Sequence, residues 1–501
     1  MPELEALAGS LLCVGLPAAT LGVSERAVLA DLRPSAVVLF ARNVSTLEAT
    51  RALVADARDA IGGGTPALVC VDQEGGRVLR LRFTRDAMPS MLALGATGDG
   101  ELAQRAGMRL AAELRAIGAN LDFAPVLDLA LAEGTTVIGT RALGSDPHDV
   151  ARMGAEFVRG MQSCRVAATA KHFPGHGATG ADSHVGLPVL LTDARTLRAR
   201  ELVPFEAAFA AGVRAVMVAH IVVRALDGER PATISPAIVQ TLLRGELGFT
   251  GVCFTDCLQM GAIASGIGTA RGAAAAIAAG ADVALVSHDL ELARAARDEI
   301  VAAVRSSEIP LERLHEAAKR IADLRAWAAA GARVRDVPGD DIPLEIARRA
   351  MTLVRGDARL DAVRPVTVIS FEGDASDGVA AGASERPSLS LELRRRRHKS
   401  ELMRVALDPA EDVLESLLEI VRAQGDRQFV VLARRAHRYP AQQRALAALF
   451  AVAPQSIAAS MLEPFDVTLL AGAHAVVCAH GDEEVDVAAL ADVLAGPVPT
   501  G

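Results

Sequence analysis

The chain has 501 residues, of which 51% are hydrophobic, and a formal net charge of −9. This length supports two or three domains with their own cores, and the acidic balance provides no sequence-wide basic field that would attract nucleic acid or an anionic membrane. The N-terminus MPELEALAGSLL is acidic where a secretory signal is basic, and no apolar run reaches the roughly 18 residues of a spanning helix, so we expect a cytoplasmic protein.

The first 290 residues repeat one pattern: a short apolar run, a polar residue at its end, and an Ala/Leu/Arg-rich helical stretch. Continuous apolar runs are typical of strands buried on both faces of a parallel sheet. Eight such runs recur about every 39 residues, which suits a (β/α)8 barrel with some long loops. The sequence therefore predicts an α/β protein with an N-terminal TIM-type barrel whose strands fall at 11–16, 36–41, 67–72, 121–128, 166–173, 215–220, 251–256 and 282–287.

Polar side chains end five of these runs. One polar residue at the end of a strand is ordinary, because the chain must leave the core there. In a barrel, however, the carboxyl ends of the strands meet at one mouth, where active sites of this fold lie. The five together therefore favour a site, built from Asp72, Asp128, Lys171 with His172, His220, and Asp256.

The loop after the fifth run carries the most chemistry. Its sequence, KHFPGHGATGADSH (171–184), places three histidines, a lysine and an aspartate among three glycines and a proline. Gly175, Gly177 and Gly180 match the dinucleotide fingerprint G-x-G-x-x-G, but residues 181–188 lack the helix that this motif must open. We therefore treat that match as accidental.

A metal site and an acid/base pair remain as interpretations of the loop. His172, His176, Asp182 and His184 offer enough ligands for a catalytic zinc, although a lysine beside His172 opposes a bound cation. Alternatively, the carboxylate of Asp182 fixes the tautomer of His184 so that the ring can donate a proton to a leaving group. An Asp–His pair that only stabilises the loop is the structural alternative.

A second domain follows the barrel. The stretch GARVRDVPGDDIP (331–343) reads as a linker, because it combines glycine, proline and like charges. After it, apolar runs at 365–370, 404–408, 429–436 and 475–481 alternate with amphipathic stretches such as 413–423. We expect a barrel domain over 1–335 and a C-terminal αβα sandwich over 336–501.

The loop sequence resembles the signature K-H-F-P-G-x-G-x(4)-D-S-H of family 3 glycoside hydrolases, in their β-N-acetylhexosaminidase branch. The resemblance covers most of residues 10–290 and implies a (β/α)8 barrel, the fold that the apolar runs predict independently. Further motifs support it at the expected strand ends: LFARN (39–43), DQEGGRVLR (72–80), LDFAPVLD (121–128), IGTRALG (138–144), AVMVAH (215–220) and GFTGVCFTDCLQM (248–260).

The resemblance implies a retaining exo-β-N-acetylglucosaminidase that uses no cofactor and no metal. It gives Asp256, in the T-D-x-L-x-M motif, the role of nucleophile, and Asp182 with His184 the role of acid/base dyad. Cys257 follows the nucleophile where many relatives have a small or acidic residue, which leaves the polarity there open. The residues that would bind the sugar are Asp72, Arg80, Arg141, Lys171 and His172.

The substrate is expected to be a small carbohydrate. Aromatic residues make up only 3% of the chain, with one Trp and one Tyr, whereas long polysaccharide clefts stack sugars on several aromatic faces. Small N-acetylglucosaminyl conjugates, such as recycled cell-wall (muropeptide) fragments, fit this expectation. The alternatives are a β-N-acetylglucosaminide phosphorylase, a metal-dependent hydrolase and a sugar-binding protein without turnover.

Overall fold

The computed structural model describes residues 2–83, 86–131, 137–180, 186–330, 339, 341–373 and 387–497. Eight parallel strands close into a barrel in which each strand pairs with its neighbour in sequence, and the first pairs with the eighth. The predicted barrel and its eight strand positions are confirmed. The strands are β1 Leu12–Gly15, β2 Ala36–Leu39, β3 Leu68–Val71, β4 Leu121–Asp122, β5 Ala167–Phe173, β6 Ala215–Val218, β7 Val252–Cys257 and β8 Val283–Val286.

Helices follow the strands and pack around the barrel. The helix Leu47–Ile61 shows how the sequence sets its ends: the Thr46 side chain accepts a hydrogen bond from the Ala49 N–H, and Gly62 ends the helix with a φ of +68°. No helix in the described ranges is both long and apolar enough to cross a bilayer. The barrel helices are Pro2–Gly9, Val23–Leu32, Leu47–Ile61, Met91–Ala96, Gly100–Ala116, Pro147–Ser163, Ala194–Thr196, Val203–Ala210, Gly261–Ala264, Thr269–Ala279, Leu290–Arg305 and Leu311–Ala329, with π-helical stretches at Leu197–Glu201 and Ala237–Glu246.

The C-terminal domain is a sheet covered by helices on both faces, as predicted. Successive residues of its strands alternate between two apolar clusters; Val430, for example, belongs to one and Val431 to the other. Its strands are β9 Thr352–Arg355, β10 Val366–Glu372, β11 Ser400–Ala406, β12 Gln428–Ala433, β13 Ile457–Ser460 and β14 Ala475–Cys478, and its helices are Ile342–Ala350, Leu389–Arg395, Glu411–Ala423, Pro440–Val452 and Glu484–Ala495. The strand order is β9-β14-β13-β12-β10-β11; β9 is antiparallel to β14, and the other neighbouring pairs are parallel.

The predicted domain boundary falls between two well-defined helices. The last barrel helix ends at Ala329 and the next helix begins at Ile342. The boundary between 335 and 336 lies outside the described residues and stays a prediction.

A buried carboxylate holds the amino-terminal end of the barrel together. Asp282, just before β8, is fully buried and accepts hydrogen bonds from Arg244, Arg313 and Arg320. It also accepts from the backbone N–H of Cys253 at 3.0 Å. One carboxylate therefore joins β7, the helix Leu311–Ala329 and the π-helical stretch before β7.

Asp282→Asn should destabilise the barrel by about 3 kcal/mol, because it removes the buried negative charge that three partly buried guanidinium groups share. The single tryptophan, Trp327, lies in the last barrel helix, so its fluorescence during urea unfolding reports on the barrel. Asp323→Asn is the matched control: it breaks the exposed Lys319–Asp323 pair on the same helix and should change stability by less than about 0.5 kcal/mol. Equal effects of the two variants would contradict the role given to Asp282.

Candidate active site

A cavity of about 420 Å³ opens at the carboxyl ends of the barrel strands. This is the edge where the sequence predicted a site. Its volume lies within the range of about 300 to 1,000 Å³ that small-molecule pockets have. The structure brings six of the eight predicted site residues to its wall: Asp72, Arg80, Arg141, Lys171, His172 and Asp256.

The other two predicted residues, Asp182 and His184, lie outside the described residues. The predicted acid/base dyad therefore stays a prediction. Among the residues that the structure describes, no group of three or more His, Cys, Asp or Glu side chains is arranged to hold a metal ion. That statement does not extend to the segment 181–185.

Two buried cations and two carboxylates form the centre of the cavity. Lys171 Nζ, at the end of β5, lies 2.8 Å from Asp72 Oδ1 and 2.6 Å from Glu74 Oε1. Arg141, in the turn Gly139–Arg141, donates from Nε and Nη2 to the two oxygens of Glu74, both at 2.8 Å. The cluster alternates in sign, which lets four charged groups share one buried site.

The pKa directions agree with a fully charged cluster. Burial alone would raise the pKa of Glu74, but Arg141 and Lys171 lower it below its ordinary value. Burial likewise opposes the charge of Lys171, yet Asp72 and Glu74 raise its pKa above its ordinary value. At neutral pH the cavity therefore presents both charged donors and charged acceptors to a ligand with many hydroxyl groups.

A second network orients two histidines. Asp128 is fully buried, and its Oδ2 lies 2.6 Å from His172 Nδ1. Its Oδ1 accepts from the backbone N–H of His176, also at 2.6 Å. Burial would raise the pKa of Asp128, but the nearby His172 lowers it, so the carboxylate is ionised and His172 Nδ1 is the donor. The other ring nitrogen of His172 faces Arg141 Nη2 at 3.4 Å.

Asp256 lies near the end of β7, on the opposite wall of the barrel from Asp72. Its Oδ1 accepts from the backbone N–H of Cys257 at 2.7 Å. The carbonyl of Cys257 is in turn 2.9 Å from Nε2 of the buried His220. His220, predicted as one of the strand ends that build the site, instead supports the backbone beside Asp256 and does not line the cavity.

The thiol of Cys257 is a neutral group beside Asp256. Burial raises its pKa, and its Sγ lies 2.7 Å from Ser287 Oγ. A protonated thiol adds no charge next to Asp256. This answers the question that the sequence left open about the polarity at this position.

Two participants were not assigned a role from the sequence. Glu74 occurs within DQEGGRVLR, but no local pattern shows that it faces Arg141, 67 positions away. Asp128 stood out as a strand end, yet its partners lie on β5 and the loop that follows. Gln73 completes the hairpin that holds Glu74: its Oε1 accepts from the N–H groups of Arg80 and Leu81 at 3.0 and 2.9 Å.

Comparisons with known proteins agree on one family. The model for the glycosyl hydrolase family 3 N terminal domain matches residues 8–324. The chain is 42% identical over 284 residues to a beta-hexosaminidase of Stenotrophomonas maltophilia (strain K279a). The aligned residues make up 56% of this chain and 83% of that protein. A beta-hexosaminidase of Pseudomonas aeruginosa (strain LESB58) is also 42% identical, over 282 residues, or 55% of this chain and 82% of its own length.

A solved structure extends the similarity to the C-terminal domain. It is a glycoside hydrolase family 3 beta-N-acetylglucosaminidase from Paenibacillus sp. str. FPU-7, with a TM-score of 0.91 and 35% sequence identity. The match covers 99% of this chain and 97% of that chain. The two-domain arrangement therefore has a close structural counterpart, whereas the two bacterial relatives above match only over about the length of the barrel.

Asp122→Asn should weaken the dependence of stability on pH. Burial raises the pKa of the Asp122 carboxyl well above its ordinary 3.8, helped by the charges of Asp72 and Glu74, so the folded chain keeps a proton that the unfolded chain releases. The stability that Asp122 contributes is present below about pH 4 and is lost as the pH rises toward its folded pKa. Asparagine removes this titration and still accepts the hydrogen bond from Gln73 N–H.

The check is thermal denaturation of both proteins between about pH 4 and about pH 8. The melting temperature of the variant, relative to the wild type, should rise with pH. The exposed Asp323→Asn serves as the control, and its difference from the wild type should stay constant. A constant difference for Asp122→Asn as well would mean that Asp122 is ionised in the folded protein.

Proposed function

The chain belongs to glycosyl hydrolase family 3 and is a glycoside hydrolase, and we propose that it is a retaining exo-β-N-acetylglucosaminidase. In this proposal it releases terminal N-acetylglucosamine from small glycoconjugates such as cell-wall fragments. The beta-hexosaminidases and the β-N-acetylglucosaminidase reported above support the sugar. The observation that carries the proposal is the convergence of Asp72, Lys171, Glu74 and Arg141 with Asp256 in one cavity.

The charged cluster suits a pyranose ring. Carboxylate oxygens of Asp72 would accept from adjacent hydroxyl groups, while Lys171, Arg141 and the Nε2 edge of His172 would face the ring oxygens. Because barrel strands and buried ion pairs hold these groups, they need little reorganisation when the ring distorts toward an oxocarbenium-like state. Arg80, whose guanidinium lies 6.0 Å from the centre of the Phe40 ring, would extend the donor set at the rim.

The proposed reaction has two steps. A carboxylate oxygen of Asp256 attacks the anomeric carbon while His184, oriented by Asp182, gives its proton to the glycosidic oxygen; the C1–O bond breaks and the aglycone leaves as a neutral alcohol. Water then gives a proton to His184, and its oxygen displaces Asp256 from C1. Both substitutions invert the anomeric carbon, so the product keeps the β configuration.

The cavity supports a short substrate. Among the described residues its aromatic side chains are Phe40 and Phe123, while Trp327 and Tyr439 lie elsewhere. Such a wall offers one sugar ring a fixed position and lacks the row of stacking platforms of a polysaccharide cleft. This wall supports the proposed exo cleavage of a single terminal residue.

The function is tested with a chromogenic β-N-acetylglucosaminide and NMR detection of the first product. We expect the β-anomer of N-acetylglucosamine, with the same product in added inorganic phosphate. The α-anomer as first product would contradict the retaining mechanism. N-acetylglucosamine 1-phosphate as the main product would instead make the protein a phosphorylase that uses the same glycosyl-enzyme.

Asp256→Asn should remove nearly all turnover while the protein stays folded, because the amide is a far weaker nucleophile than the carboxylate. In the wild type, a 2-fluoro sugar with a good leaving group should leave a covalent adduct on Asp256, detectable by peptide mass spectrometry. Asp289→Asn, an exposed helix cap after β8, is the control and should keep its activity. An adduct on Asp72 or Asp128 would refute the assignment.

His184→Ala should reduce turnover by about 10² to 10⁴ for substrates with poor leaving groups, the usual contribution of general acid catalysis. Nitrophenyl substrates should lose much less, because their leaving group departs without a proton. Asp182→Ala should show the same selectivity more mildly, and His148→Ala, on an exposed helix turn, should show none. Equal losses for both classes of leaving group would mean that the dyad only stabilises its loop.

A further inference from the structure

We propose that the C-terminal domain is a positioning element of the sugar pocket, acting on Glu74 and Arg141 through two carboxylates, Glu483 and Glu463. The inference rests on the proposed function of the pocket. It assigns a role to a domain that supplies no side chain to the described wall of the cavity, all of which comes from the barrel.

The carboxyl ends of the parallel strands in the C-terminal domain face the mouth of the barrel. Glu463 follows β13, and His480 and Glu483 follow β14. The barrel residues that they meet are Arg82 beside the hairpin Gln73–Leu79, Ser90, and the turn Gly139–Arg141. The hairpin and the turn carry the two members of the Glu74–Arg141 pair.

The first contact fixes the hairpin. Arg82 donates from Nη1 and Nη2 to the carboxylate of Glu483 at 2.9 and 3.2 Å. The same Nη2 also donates to the carbonyl of Gly76 at 3.1 Å. Gly76 lies in the turn between the two short strands Gln73–Gly75 and Val78–Leu79, one residue after the strand that contains Glu74. Arg82 thus joins the hairpin tip to the C-terminal domain.

A second contact lies at Ser90, which caps the helix Met91–Ala96. Ser90 Oγ donates to the carbonyl of His480 at 2.5 Å. Close by in sequence, the backbone N–H of Gly76 donates to the carbonyl of Met88 at 2.8 Å. The C-terminal domain therefore also contacts the chain two residues after Met88, which is bonded to the hairpin turn.

The third contact supports the turn that carries Arg141. Gly139 begins this turn with a φ of +44°, and the buried carboxylate of Glu463 occupies the space where a Cβ of residue 139 would sit. Arg435 Nε lies 3.6 Å from Glu463 Oε2 and provides a nearby positive charge. A side chain of the second domain thus lies directly against the backbone that orients Arg141.

The hairpin and the turn that carries Arg141 are joined through one carbonyl group. The carbonyl of Val137 accepts from Arg77 Nη2 at 2.7 Å and from Arg141 Nη1 at 3.0 Å. A displacement of either segment would therefore shift Glu74 relative to Arg141 and both relative to Lys171. Since a misplacement on the order of 1 Å can reduce rates by about 10²-fold, such support is functionally relevant.

The test compares two ion pairs that join the same domains. Glu483→Gln weakens the Arg82–Glu483 pair beside the pocket, and Glu345→Gln weakens the Arg105–Glu345 pair, at 3.0 Å, on the outer helix Gly100–Ala116. Both pairs are partly exposed to a similar degree. Glu463→Gln is the third variant. All are made in the full chain, and their melting temperatures are measured.

We expect Glu483→Gln and Glu463→Gln to raise KM for the chromogenic glucosaminide, and to weaken inhibition by free N-acetylglucosamine, by about 2- to 30-fold. The fall in kcat should be smaller, because the affected pair binds the sugar in the ground state as well. Glu345→Gln should leave KM and inhibition unchanged. Arg82→Ala and Glu483→Gln should be less than additive in the double variant, since both remove the Arg82–Glu483 pair.

Three outcomes distinguish a failure of the proposed function from a failure of the inference about the C-terminal domain. A wild-type protein without turnover contradicts the proposed function; the inference is then decided by the thermal shift that N-acetylglucosamine produces in the same variants. Unchanged KM and inhibition in folded Glu483→Gln would overturn the inference. An equal rise of KM in Glu345→Gln would also overturn it, because domain attachment in general, and not these two carboxylates, would then control the pocket. If Glu463→Gln fails to fold, Glu483→Gln decides the question alone.

Discussion

The buried carboxylate of Glu74, bound by Arg141 on one side and Lys171 on the other, is the interaction on which the rest of the site depends. It joins three parts of the chain that are distant in sequence: the hairpin after β3, the turn before the helix Pro147–Ser163, and the end of β5. Burial of an isolated carboxylate would be strongly unfavourable, so each cation is required for the other groups to stay charged. Removing the side chain of Glu74, Arg141 or Lys171 leaves an uncompensated charge inside the barrel.

One buried ion-pair cluster stabilises the barrel, and another positions the charged groups of the cavity. The far end of the barrel is closed by Asp282 and its arginines, which contact no part of the cavity. At the mouth, the same kind of ion pairing holds groups that must remain available to a ligand. The thiol of Cys257 is neutral and adds no charge beside Asp256, and the N–H of Cys257 donates a hydrogen bond to the Asp256 carboxylate. The scaffold thus fixes polar groups before a sugar arrives, which is the condition for electrostatic preorganisation.

The sequence predicted most of the barrel and much of the site, for identifiable physical reasons. Strands buried on both faces leave continuous apolar runs, and the parallel arrangement puts their polar ends at one mouth, so Asp72, Lys171 and Asp256 could be placed together. Glu74 could not, because its position depends on a hairpin whose register no local pattern reveals. In the second domain β13 was missed, since the segment Ile457–Ser460 is largely alanine and serine and has little β propensity. Asp182 and His184 remain sequence-based assignments.

The C-terminal sheet presents the carboxyl ends of its parallel strands to the barrel. Doubly wound sheets generally bind small molecules outside the carboxyl ends of their strands, and here that edge rests on the barrel. The barrel occupies the place that a diffusible ligand takes in other proteins of this architecture. Because the barrel and the C-terminal domain are covalently joined, their contact is maintained at a high effective concentration and tolerates weak individual interactions.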